Sequence, residues 1–124
     1  MNHVILVGKL SQEPFFEESE TGKKRTILYV AVPRGFKNSE GKYETDFIRC
    51  VLWNGIASAT KNYCHVGDTV GIKGRMQNKS YVNEQNETKY ITEVIAERVS
   101  FISSKIHEKK IDENDDGTEI IECF

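Results

Sequence analysis

The sequence predicts an all-β domain that carries one short helix. Three observations lead there. Residues 45–53, Thr-Asp-Phe-Ile-Arg-Cys-Val-Leu-Trp, alternate with the period of two expected of a strand. Four further segments, 2–10, 24–32, 69–77 and 89–102, are rich in β-branched and aromatic residues and are separated by turn-forming Gly, Asn, Ser and Pro. Only residues 55–63, with Ile56, Ala57 and Ala59 following a candidate cap at Asn54, have the composition of a helix.

Taken in order, the first strand contains the apolar run Val4-Ile5-Leu6-Val7, and Gly8 then permits a bend or a close backbone approach. Glu13-Pro14 opens a loop, and Ser19-Glu20-Thr21-Gly22 reads as a turn. The second strand is 24–32, and Pro33, which has no N–H to donate, is expected to end regular pairing. Residues 34–44 are polar, with Asn38-Ser39-Glu40-Gly41 at the tip. After the third strand and the helix, Val66-Gly67-Asp68 turns into the fourth strand. Its inner face is expected to be Val70, Ile72 and Met76, and its outer face Lys73 and Arg75. A polar hairpin, 78–88, leads to the last strand, which is expected to break near Glu97-Arg98. Strand, strand, strand, helix, strand, strand is the order of a five-stranded Greek-key barrel of the OB type.

Charge divides the chain into an ordered domain, residues 1–105, and an acidic tail, residues 106–124. The net charge of −2 conceals the split: residues 1–106 hold 15 Lys and Arg against 12 Asp and Glu, and residues 107–124 hold 2 against 7. So many carboxylates cannot build a core, and disorder is expected there. No apolar run is long enough for a membrane span, and the N-terminal apolar stretch is too short for a signal peptide, so a cytoplasmic location is expected. Cys50, Cys64 and Cys123 are odd in number and lack zinc-ligand spacing; Cys50 reads as a small core residue. Gly22-Lys23 lacks the upstream glycine of a phosphate-binding loop, since position 17 is Glu17. No Gly-x-Ser-x-Gly elbow and no carboxylate cluster for two metals are present, so neither an enzyme nor a cofactor is expected.

The two faces of residues 45–53 differ in kind. Ile48, Cys50 and Leu52 suit a core, whereas the other face carries Phe47, Arg49, Val51 and Trp53. Rings interleaved with a cation are poorly explained by burial or by solvation alone. They suit a flat, anionic ligand such as unpaired nucleic acid, whose bases stack and whose linkages need counter-charge. OB barrels bind on the face of strands two and three and in the flanking loops.

The segments Asn2-His-Val-Ile-Leu-Val-Gly-Lys-Leu, Thr45-Asp-Phe-Ile-Arg-Cys-Val-Leu-Trp, Val66-Gly-Asp with Gly74-Arg-Met, and Thr92-Glu-Val-Ile-Ala-Glu resemble the bacterial and phage single-stranded DNA-binding protein family over residues 1–102. The resemblance implies an OB fold, a homotetramer, and binding of single-stranded DNA with little sequence preference in replication, recombination and repair. Position by position it implies base stacking by Phe36, Phe47, Trp53 and Tyr81, and phosphate contacts by Lys9, Arg34, Lys37, Arg49, Lys73, Arg75 and Lys79. Gly55 stands where the family often has a Lys, removing one usual contact. The family's long Gly, Pro and Gln-rich linker is nearly absent. The family's Asp-Asp-Asp-Ile-Pro-Phe tip is represented by Asp115, Asp116, Ile120, Ile121 and Phe124, with Cys123 in place of Pro. Docking of replication and repair proteins by that tip is what the resemblance implies, and the short tail looks like a phage or mobile-element copy.

Several plainer roles stay open at this level. Phe47 and Trp53 could be core residues, Tyr81 could lie in a subunit interface, Lys73 and Arg75 could be ordinary solvated charges, and the tail could serve solubility alone. Phe15-Phe16 could anchor a loop, and Tyr29 and Tyr90 read as sheet-packing residues. An RNA-binding or primosome-type OB module and a protein-binding scaffold are the alternative functions.

Overall fold

The computed structural model describes residues 1–103 and 120–122, with residues 103 and 120–122 described by their backbone alone. Along the chain run β1 (Val4–Leu10), β2 (Phe15–Glu18), β3 (Lys24–Lys37), β4 (Tyr43–Trp53), α1 (Asn54–Tyr63), β5 (Thr69–Val82), β6 (Thr88–Ser103) and β7 (Ile120–Glu122). The lateral order is β1-β5-β6-β4-β3-β2, and a β1–β3 pairing closes β1, β3, β4, β5 and β6 into a five-stranded barrel. All pairings are antiparallel except β4 with β6, as the mixed OB barrel requires. The predicted fold class is therefore the observed one.

Closure depends on two glycines. At Gly8, β1 crosses so near β3 that a Cβ would collide with the backbone oxygen of Ala31. At Gly74, a Cβ would collide with the carbonyl of Ile95. The second approach sits at a bulge: Lys73 pairs with Arg98 but Gly74 pairs with Ala96, leaving Glu97 without an opposite residue. This is the break expected near Glu97-Arg98, and it bends β6 around the barrel.

The interior is filled by Leu10, Leu28, Val30, Cys50, Leu52, Ile72 and Val99 from the strands, and Ile56 and Ala57 of α1 close one end. Each fully buried Leu or Ile contributes roughly 1.5–3 kcal/mol relative to exposure. Thr26 donates its hydroxyl to the Ala57 carbonyl at 2.7 Å, tying β3 to the helix where both residues are fully buried. Cys50 is in the core as expected, and burial pushes its thiol up to about 12.

Several local expectations are corrected. Asn54 is not the helix cap: Trp53 holds that position, with no side-chain capping bond. Asn54 instead adopts φ 60°, the left-handed geometry that lets β4 turn abruptly into α1 and that Asn tolerates better than most residues. Met76 is not a core residue but 51 % exposed: its partner Val94 is still paired with Cys50 of β4 and buried, but β1 stops opposite Gly74 and leaves Met76 at an open edge, beyond which β5 and β6 run on as a two-stranded arm. Regular register does end at Pro33, in its pair with Thr45, but β3 is longer than the expected 24–32: pairing resumes at Lys37–Tyr43. Phe15 and Phe16 form a short strand along β3 rather than a loop anchor, and Tyr90 is an exposed residue of the arm. Within the segment read as disordered, Ile120–Glu122 pairs with the β6 edge at Arg98–Ser100, an edge that β4 leaves open.

Candidate nucleic-acid interface

Cross-strand neighbours in a sheet point the same way, so the pairing registers define one continuous outer face. Its central row runs Phe15–Ile27–Val51–Ile95–Arg75 over β2, β3, β4, β6 and β5. Ile27, Val51 and Ile95 are buried in this row. Val51 therefore belongs to an apolar stripe that supports the face and not to the exposed part of it.

The next row is electrostatic. Arg49 pairs across the sheet with Tyr29, donates Nε to Glu93 at 3.1 Å and donates Nη1 to the Tyr29 hydroxyl at 3.1 Å. Glu93 is only 5 % exposed, so this carboxylate needs its guanidinium. Desolvation pulls the Arg49 pKa down, but the hydrogen bonds with Glu93 and Tyr29 outweigh it and the net shift is upward. Arg49 is thus a fixed cation whose Nε and one Nη1 donor are already used.

One row further along, Lys9, Ala31 and Phe47 lie side by side. The small Ala31 leaves the Phe47 ring standing free, at 65 % exposure. Trp53 lies on the same face of β4, about 20 Å from Phe47 at 3.3 Å per residue. Its ring is half-buried, with the Lys23 ammonium 4.7 Å and the Arg25 guanidinium 5.8 Å from its centroid. On the β5–β6 arm, Arg75, Gln77, Lys79 and Tyr81 continue the face by alternation, and Tyr81 is 52 % exposed. Phe36, 68 % exposed, is carried by the β3–β4 arm, where Lys37 lies 5.8 Å from the ring of Tyr43.

Three aromatic residues, Phe47, Trp53 and Tyr81, therefore share the wall, and Phe36 projects on the neighbouring arm. The exposure of Phe47 takes it out of the core, and Trp53, though partly buried, is not among the core residues.

The cations fall into two groups. Lys9, Lys73 and Lys79 have no carboxylate partner among the described residues. Lys73 sits between Ile5 of β1 and Arg98 of β6, to the side of the aromatic row. Arg34, in contrast, donates Nε and Nη2 to Asp46 at 2.9–3.2 Å, with Glu44 at 3.8 Å. Hydrogen bonding and charge from Asp46 raise the Arg34 pKa, and the same bond lowers that of Asp46. Arg75 lies 3.8 Å from Glu97 and donates to Gln77.

Sequence reasoning missed Lys23, Arg25 and Glu93, and read Tyr29 only as a sheet-packing residue. The first two could have been found by counting outward from the β3–β4 hairpin, which sets Arg25 opposite Trp53. Asp115, Asp116 and Phe124 lie outside the described residues, and for Ile120 and Ile121 only the backbone is described. Among the described residues no cluster of His, Cys, Asp and Glu could hold a metal ion, and no helix is long and apolar enough to cross a membrane.

The chain matches the model of the single-strand binding protein family over residues 1–102. It is 40 % identical over 111 residues to single-stranded DNA-binding protein B of Bacillus subtilis, covering 90 % of this chain and 98 % of that one. It is 38 % identical over 105 residues to single-stranded DNA-binding protein 3 of Listeria innocua, covering 85 % and 66 %. To the single-stranded DNA-binding protein of Lactiplantibacillus plantarum it is 37 % identical over 110 residues, covering 89 % of this chain and 55 % of that longer one. The chain thus belongs to the single-strand binding protein family and is a DNA-binding protein, not an enzyme.

Proposed function

We infer that the chain coats and protects single-stranded DNA during replication, recombination and repair, in the cytoplasm, by stacking bases on Phe36, Phe47, Trp53 and Tyr81. Lys9, Lys37, Lys73 and Lys79 hold phosphates from the start, and Arg34, Arg49 and Arg75 do so as their carboxylate partners share them. The observation that carries this reading is the row Lys9–Ala31–Phe47, where an exposed ring stands beside a cation that has no ion-pair partner among the described residues. Stacking is sequence-tolerant because every base has a π-face, which accounts for binding without readout. Titration of poly(dT) against the Trp53 fluorescence, beside duplex DNA and poly(U), tests it. Quenching by poly(dT) with little response to duplex is expected; preference for poly(U) favours an RNA-binding module, and no response to any polynucleotide overturns the reading.

The ion pairs make a sharper forecast. Asp46→Ala releases Arg34 from its carboxylate and removes one negative charge from the arm. Affinity for oligo(dT) should rise several-fold at low salt, and the log–log salt slope should steepen by about 0.7, the value for one more neutralised phosphate. Isothermal titration at two salt concentrations reads both.

Self-association is supported by β1. It pairs with β3 only through Lys9 and Leu10, so its edge from Val4 to Val7 is open on that side. Ile5, Val7 and Ile102 are exposed apolar residues beside it. An open edge flanked by apolar side chains is a template for a second copy, in keeping with the homotetramer that the family resemblance implies. The acidic tail is assigned to partner docking through Asp115, Asp116, Ile120, Ile121 and Phe124, and to competition with DNA for the cationic wall. Deletion of residues 107–124 should leave DNA affinity unchanged or higher at low salt, with the difference gone at high salt; a filter-binding series reads it.

A further inference from the structure

Trp53 is the one aromatic of the wall whose ring is already covered. The Lys23 ammonium lies 4.7 Å from the ring centroid and has no carboxylate partner among the described residues. Its backbone is pinned by the turn before β3: the Lys23 N–H donates to Ser19 Oγ at 3.0 Å and its carbonyl accepts from the Ser19 N–H at 2.9 Å. The side chain is exposed, so only the head group is free to move. Arg25 is the opposite case. It pairs with Trp53 in register and is ion-paired to Glu17 of β2, which fixes it at the ring. With Glu17, Glu18 and Ser19, these three residues line an open recess of about 310 Å³, at the lower end of the range for ligand pockets.

Resting on the DNA-binding reading above, we propose that Lys23 and Arg25 complete a nucleotide subsite at Trp53, in which an incoming base takes the place of the Lys23 ammonium on the ring and that ammonium moves to the base's own phosphate. A cation over an aromatic face and a stacked base use the same ring surface, so the two exclude each other. The displaced charge does not go to waste in solvent, because the nucleotide that displaces it brings an anion within reach. Arg25, held by Glu17, stays beside the ring as the second positive charge. The hairpin of β2 and β3 thereby becomes part of the DNA path.

Lys23 then acts in two opposed ways: it competes with the base for the ring, and it contributes one phosphate contact. The opposition is visible in salt dependence. Lys23→Met keeps the aliphatic stem and removes the charge, at an exposed position that leaves folding intact. Its log–log salt slope for poly(dT) should be shallower than the native slope by about 0.7. Its affinity should fall several-fold at low salt and equal or exceed the native affinity at high salt, where only the loss of ring competition remains. Lys61→Met serves as the control, since Lys61 covers the ring of Phe16 at 4.4 Å and is assigned no part in the DNA path; its slope should stay native. A Lys23→Met line parallel to the native one, with native protein still binding and quenched, overturns the subsite alone. A native protein that fails to bind poly(dT) overturns the broader reading.

Discussion

Phe47→Ala should weaken single-stranded DNA binding by one to two orders of magnitude while leaving the folded state almost untouched. A base stacked on an aromatic side chain is worth about 1–3 kcal/mol, and each 1.4 kcal/mol is tenfold. Removing a core phenylalanine destabilises a domain by about 3–5 kcal/mol, but Phe47 is 65 % exposed and faces away from the barrel interior. Its loss therefore opens no cavity. Fluorescence anisotropy of a labelled oligo(dT) should report the affinity change, and a thermal melt should report a midpoint within a few degrees of native. A large fall in melting temperature with unchanged affinity would mean that the ring packs and does not stack.

The second large effect concerns folding. Gly74→Ala places a methyl group against the carbonyl of Ile95 at the bulge where β6 bends. The obstacle is backbone of the neighbouring strand and cannot swing aside as a side chain would. Overpacking of this kind costs about 1–3 kcal/mol or more, which for a domain of this size is a fall of roughly 5–20 °C in the melting midpoint. Gly71→Ala is the internal comparison. A Cβ there meets its first neighbour, Ile102 Cδ1, at an ordinary 3.5 Å, so its midpoint should move little. Equal effects from the two substitutions would contradict the strand approach described for Gly74.

The barrel was legible in the sequence because its determinants are local. Alternation in residues 45–53, the apolar run Val4-Ile5-Leu6-Val7 and the turn residues between them fix strand positions from composition alone. What was not legible depends on where the barrel stops. Met76 continues the inward parity of Val70 and Ile72, and nothing in its own neighbourhood shows that the covering strand β1 stops opposite Gly74. Pro33 illustrates the converse: it ends regular register at its pair with Thr45, as its missing N–H predicts, yet pairing resumes beyond it at Lys37–Tyr43. The aromatic positions came from pattern and family resemblance together. The partners of the cations did not. Glu93 lies 44 residues from Arg49, and Asp46 lies 12 from Arg34. Only the register shows that one guanidinium is anchored to a buried carboxylate and the other is shared on the surface.

Photocrosslinking tests the central claim most directly. Oligo(dT) irradiated in complex with the native protein forms adducts with the rings on which thymines stack, and mass spectrometry locates them. Adducts at Phe47, Trp53, Tyr81 and Phe36 are expected. Adducts confined to exposed rings elsewhere, such as Tyr63 of the helix or Tyr90 on the far side of the arm, would contradict it.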